Sequence, residues 1–219
     1  MSYPRTSTPR RAARLAAAAL LLALTAACTN DDANPDPSPA AVAAVQVSGP
    51  LCAALPTGTE PGNPTFLAGQ PVDDALRWIP TITTFEAAMR ASGLLTDLDR
   101  DGITLLAPTD DAFAAKFNDD TWDTLMTRDH EKLRTLLKAH LITGTHTVDE
   151  LVTAGTATTV DGTNLTVTRT GTSTRFADDK AKADAVCADY QATGARIHLV
   201  NAVLGPLPTT ADGTGHRAH

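Results

Sequence analysis

Apolar residues recur at helical spacing through the first half of the chain and at strand spacing through the second. Phe85, Ala88 and Met89 share one helical face, Thr83 and Glu86 stand at the spacing of a capping box, and Gly93 follows where a helix should stop. Leu133, Leu136, Leu137 and His140 stand at i, i+3, i+4 and i+7 and predict a second helix beginning near Asp129. A third, shorter helix is predicted from a capping box at Thr147 and Glu150 to just before Gly155. Beyond it the period falls to two. Leu165, Val167 and Arg169 alternate with Thr166, Thr168 and Thr170 after an Asp161-Gly162 turn, the pattern of a half-buried strand. Residues 197–204 are almost continuously apolar, as in a strand covered on both faces. Helices first and strands later predict an α+β domain.

The N-terminus follows a different pattern. Arg5, Arg10, Arg11 and Arg14, with no acid among them, precede an apolar run from Leu15 to Ala27. This is the layout of a secretory signal, and the run is too short to span a bilayer. It ends in Leu24, Thr25, Ala26, Ala27 and Cys28, which resembles a bacterial lipobox, although Thr25 stands where Leu is usual. The resemblance implies removal of residues 1–27 and a diacylglyceryl group on Cys28, two chains holding where one holds only marginally. Plain cleavage after Ala27 is the alternative. Residues 28–48, rich in Pro, Asp and Ala, have no apolar period and read as a disordered, extended tether. The domain is expected over residues 49–207, and residues 208–219 as a flexible tail.

Composition narrows the functional classes. The 219 residues carry a formal net charge of -7, with 42% hydrophobic and 20% charged residues, the balance of an ordinary globular protein. Loss of residues 1–27 removes four Arg and leaves the chain more acidic still. That argues against nucleic acid as a partner, since such binding rests on phosphate neutralisation. With Cys28 assigned to the anchor, Cys52 and Cys187 are the two remaining thiols in an oxidising space, and a disulfide between them is the expected outcome. It would close a loop of over a hundred residues, for which chain entropy gives a stabilisation of about 4.7 kcal/mol as an upper figure. The alternative, a reactive thiol, needs a His-rich or electropositive setting that neither neighbourhood shows.

Three segments carry a resemblance. Residues 103–107 are strand-like, Pro108 cannot donate to a ladder, and Thr109 or Asp110 can accept from the first amides of a helix. With Thr104, Ala107 and Phe113, this stretch resembles the first signature of fasciclin (FAS1) domains. Leu137, His140, Leu141, Ile142 and Gly144 look like that family's central His motif. Gly194, Ile197, His198, Leu199, Val200, Asn201, Val203, Leu204 and Pro206 look like its last signature. The resemblance spans residues 49–207 and implies a single FAS1 domain, with helices packed on a wedge-like pair of β-sheets. Two positions depart from the pattern: Ala139 replaces the Tyr that usually precedes the central His, and Asn201 stands where Asp is frequent. The spacing of Cys52 and Cys187 is similar to that of the mycobacterial secreted and lipid-anchored fasciclin antigens.

The candidate chemistry is sparse. Asp97, Asp99, Asp101 and Gly102 spell the opening of an EF-hand calcium loop, but its twelfth position is Pro108, where a Glu is required. An acidic turn is the simpler reading, with a calcium-dependent module as the alternative. Ser92 and Ser173 lie outside any Gly-x-Ser-x-Gly elbow, and there is no His-Glu-x-x-His helix or phosphate loop. His140, His146 and His198 could converge in the fold, though a His in an apolar strand more often hydrogen-bonds within a core. Trp78 and Trp122 are expected in the core. The resulting expectation is a cell-surface, lipid-anchored, non-catalytic adhesion or binding module without cofactor or metal. Its partner would be an extracellular protein or a cell-envelope polysaccharide, or a second copy, with contact through His140, Thr145 and His146. An extracytoplasmic enzyme with an Asp/His site formed only in the fold is the alternative.

Overall fold

A computed structural model describes residues 45–97 and 102–211. The expectations for the signal segment, Cys28, most of the tether, Asp99, Asp101 and the end of the tail lie outside the described residues. The chain enters along the sheet, where Ser48 exchanges two backbone hydrogen bonds with Ala188 at 3.2 and 2.8 Å. A 3-10 turn, Cys52–Ala54, follows, and then four helices: α1 (Pro64–Ala68), α2 (Val72–Arg77), α3 (Thr83–Ala91) and α4 (Leu94–Asp97). Strand β1 (Ile103–Pro108) leads into α5 (Asp110–Lys116), α6 (Asp119–Thr127) and α7 (His130–Lys138). Strand β2 (Leu141–Thr143), α8 (Val148–Ala154) and five strands complete the order: β3 (Thr156–Thr158), β4 (Asn164–Thr170), β5 (Ser173–Ala177), β6 (Lys182–Ala192) and β7 (Ala195–Val200).

The strands form one sheet in the order β2-β1-β7-β6-β5-β4-β3, with β1 and β7 parallel and the other pairs antiparallel. Its two ends curl together. Ile142 bridges Thr159, and the Val160 amide donates to Leu141 O at 2.7 Å, so β2 lies beside the residues after β3. This closure leaves neither terminal strand as a bare edge. The central β1 is buried along its whole length. Leu105 and Ala107 pack with the helices around Phe85, Phe113 and Leu136, while Leu106 points into the curl with Leu165, Val167 and Phe176. Two-sided burial of β1 and β7 follows from this position between two cores.

Each predicted element is present, with informative differences. Helix α8 begins with the full capping box of Thr147 and Glu150 and ends at Gly155 in the left-handed conformation, φ 70°. Helix α3 spans the predicted residues, but its expected Thr83–Glu86 box is not formed. Instead the carboxylate of Asp110, at the start of α5, accepts from the Thr84 amide (2.7 Å), the Thr83 amide (3.3 Å) and the Thr83 hydroxyl (3.0 Å). Glu86 turns to Arg90 one turn ahead. The strand expected over 197–204 stops at Val200, because its neighbour β1 ends at Pro108 and the Thr109 amide takes Val200 O as the chain enters α5. Strand β6 was not predicted: Ala183, Ala185, Ala188 and Ala192 give it no strong apolar alternation.

Three further expectations meet the structure. Cys52 and Cys187 form the disulfide, Cα to Cα 5.0 Å across a separation of 135 residues. Trp122 is in the core beside Phe113, but Trp78 is corrected: it is 44% exposed at the end of α2, where its ring meets that of Phe66 in a T-shaped pair. The start of the expected tail is held, since the amides of Thr210 and Ala211 donate to Lys116 O and the Thr210 hydroxyl accepts from the Asn118 amide.

Candidate binding loop between Thr143 and Thr147

The segment joining β2 to α8 is held from beneath by side chains that lie far from it in sequence. Gly144 has φ 86°, and a Cβ there would lie 2.8 Å from His146 Nε2, so the ring of His146 folds back over a position only glycine can occupy. The Gly144 amide donates to Gly102 O at 3.0 Å. Thr104, fully buried in β1, uses its hydroxyl twice, donating to Gly144 O at 2.6 Å and accepting from the His146 amide at 2.8 Å. His198, fully buried in β7, supplies the next support: its Nε2 donates to His146 O at 2.9 Å. Above these contacts Thr145 is exposed and His146 half-buried.

The protonation state of His198 follows from its partners. Its Nδ1 accepts from the Asp189 amide at 3.1 Å, so the proton sits on Nε2 and the ring is neutral. Burial pushes its pKa down from 6.5 to about 4. Asp189 sits at an irregularity in the β6–β7 register and is the one described non-glycine residue with positive φ, 70°. From there its carboxylate accepts from the Val148 amide at 3.0 Å, the first amide of α8. Burial raises the pKa of that carboxyl. Arg196 Nη1 reaches Asp189 O at 3.5 Å, while its Nε is buried without a hydrogen-bond partner. Asp189 and Arg196 were missed in the sequence. A lone Asp at positive φ leaves no periodic signal.

His140 is placed differently from the expectation. It is fully buried just past α7; its Nε2 accepts from the Leu204 amide at 2.9 Å, so Nδ1 carries the proton and donates to Leu136 O at 2.8 Å. Burial lowers its pKa to about 4. Both ring nitrogens serve the backbone, and the expected surface contact through His140 is corrected: Thr145 and His146 reach the surface, and His140 does not. Ala139 is buried as well, and a Cβ built on Gly205 would lie 3.0 Å from its own Cβ, so a larger side chain at 139 would have to displace that turn. Among the described residues no group of three His, Cys, Asp or Glu side chains is arranged to hold a metal ion.

The fasciclin domain model matches residues 80–206, which include every motif just placed. A Synechocystis protein, sll1483, is 31% identical over 130 residues, covering 58% of this chain and 68% of its own length. The chain belongs to the fasciclin (FAS1) family. It is also 35% identical over 127 residues to the pig transforming growth factor-beta-induced protein ig-h3, of whose length the match covers 18%. Among solved structures it matches a FAS1 domain pair from the insect cell adhesion molecule fasciclin I, with TM-score 0.45 and 24% identity, over 55% of this chain and 43% of that one.

The FAS1 signatures now have physical roles in this chain. Thr104, Gly144 and His198 support one loop. Thr109 caps α5 by accepting from the Ala112 amide at 3.3 Å. Ala107 is in the core, as is Phe113, whose ring lies 4.9 Å from that of Trp122. Pro108 closes β1, and Pro206 is exposed beside Gly205.

Proposed function

We propose that this chain is exported, anchored through a lipid on Cys28, and acts outside the cytoplasm as a non-catalytic adhesion or binding module. In this reading it presents residues 143–147 to an extracellular protein or a cell-envelope polysaccharide. One observation carries the reading: an exposed Thr145 is held on a loop whose backbone is fixed by buried Thr104 and His198. A loop ordered before contact loses less conformational entropy on binding. Membership of a family known in adhesion proteins supports the same reading. The non-catalytic assignment rests on the two buried histidines, whose ring nitrogens are committed to backbone groups.

The test is photo-crosslinking with the oxidised exported chain carrying a photoreactive residue at Thr145, probed against envelope and extracellular matrix fractions. A saturable crosslinked partner, competed by unmodified protein, is expected. A folded protein that gives no specific crosslink from this position overturns the loop assignment. Mass spectrometry of the membrane fraction tests the anchor: an N-terminal Cys28 carrying lipid mass is expected, and a lipid-free N-terminus removes it.

A further inference from the structure

A groove lies at the opposite end of the β1–β7 pair from the binding loop. The loop is tied to Gly102 and Thr104, at the start of β1, whereas the groove borders Thr109 and Asn201, just past the ends of β1 and β7. Six paired residues separate the two ends, about 20 Å at the rise of a strand. The groove encloses about 740 Å³. Its walls include Pro50, Leu51, Pro80 and Val186, all at least partly exposed. A second hollow of about 440 Å³ shares Pro50, Val186 and Asn201 with it, so the cleft continues beyond one small ligand.

The polar groups here are unevenly used. Asp110 is committed to the start of α3 by three hydrogen bonds, and Asp184, in the second hollow, is held by Arg175 at 2.6 and 2.9 Å. Asp111 is exposed and forms no ion pair or side-chain hydrogen bond among the described residues. Thr81, whose carbonyl accepts from the Asp110 amide at 2.9 Å, has its hydroxyl oxygen buried without any partner. Among the described residues no Lys, Arg or His lines either hollow. The cleft thus joins apolar walls to an unpaired carboxylate, with no cation in its lining among the described residues.

We propose that this groove docks an extended, Lys- or Arg-bearing segment of a partner polypeptide. Its aliphatic stems lie on Leu51, Pro80 and Val186, and its cationic head meets Asp111. Charge complementarity selects this occupant: a basic side chain has the apolar stem and charged tip that the walls and the carboxylate require. The acidic chain as a whole favours approach of the same partner. A polypeptide, more than a free amine, fits a cleft that runs on into a second hollow.

The test uses the oxidised exported chain and a Leu-Lys-Val-Lys-Leu amide carrying fluorescein on its N-terminal amine, with lysine-acetylated and glutamate-substituted peptides as controls. Saturable binding that weakens with salt and is lost in both controls is expected. Asp111→Asn should weaken it about tenfold, as for loss of one charge-assisted contact. Ala115→Arg, an exposed substitution in the groove lining, should abolish it, and Thr145→Ala should leave it unchanged. That last variant separates failure of this proposal from failure of the loop assignment. Absence of saturable binding, equal binding of the acetylated peptide, or indifference to Ala115→Arg in a folded variant overturns the proposal. A dimer that Ala115→Arg dissolves, with no peptide bound, overturns it in favour of a second copy.

Discussion

The two ends of the parallel β1–β7 pair are built on opposite principles. At the start of the strands the polar groups beneath the loop are consumed internally: Thr104 and His198 each make two hydrogen bonds, and Arg196 Nε is the exception. At the other end Asp111 stands exposed beside apolar walls, without an ion pair or side-chain hydrogen bond among the described residues. The first arrangement fixes a shape before any contact is made. The second keeps binding capacity in reserve. The same two strands position both, so stability and binding can be perturbed separately at each end.

Among substitutions the largest effect is expected from the disulfide, which anchors the chain next to the groove wall at Leu51. Replacing Cys52 and Cys187 together by Ser should lower stability by up to about 4.7 kcal/mol. Chemical denaturation measures the loss, and amide exchange should rise at the groove more than at the loop. An equal rise at both ends would show that they are not independent.

Acid should act on the pinned end and on the His140 contact. Each buried imidazole has a folded pKa near 4 against 6.5 unfolded, so the unfolded chain binds protons first as pH falls. Stability is therefore full above about pH 6.5 and is lost down to about pH 4, by about 3 kcal/mol per histidine. Asp189 works in the opposite sense, since its raised pKa lets the folded state take up a proton first, and offsets part of the loss. Denaturation midpoints between pH 7 and pH 4 measure the sum. His198→Phe should flatten the profile, and an unchanged profile would refute this assignment.

Thr104→Val sharpens the comparison further. It keeps the shape of the side chain but leaves Gly144 O and the His146 amide without their partner, a cost of about 2 kcal/mol. Faster amide exchange at His146, without change at Asp111, is expected. The smallest contrast lies between neighbours: Asp110→Ala should cost about 1 kcal/mol through loss of the α3 cap, whereas Asp111→Ala should stay within about 0.5 kcal/mol. Equal losses would mean that Asp111 has a structural partner after all.

The legible parts of the molecule are those whose causes are local. The apolar faces of α3 and α7, the box at Thr147 and Glu150, the cap at Thr109 and the alternation of β4 each depend on residues within a few positions, and each is found in place. Strand β6 was not legible because alanines carry too little apolar contrast, and Trp78 misled because a helical period does not say which helix is covered. The loop was legible as a place, through the motif around His140 and Gly144, but not as a mechanism. Its supports arrive from β1 and β7, 42 and 52 residues from His146.

The amino-acid sequence by itself therefore determined the α+β class and the local stops and starts, because periodicity, capping and turn chemistry act over one or two turns of chain. The family was legible through the resemblance of three motifs, and the disulfide because only Cys52 and Cys187 remain once Cys28 is assigned to the anchor. Only the tertiary structure decided that Asp110 caps a helix 26 residues away, that His140 faces inward, and that Asp189 and His198 meet beneath the loop. The physical reason is reach. A hydrogen bond is satisfied by whatever donor or acceptor the packed strands bring within about 3 Å, and that choice is made by the fold of the whole domain.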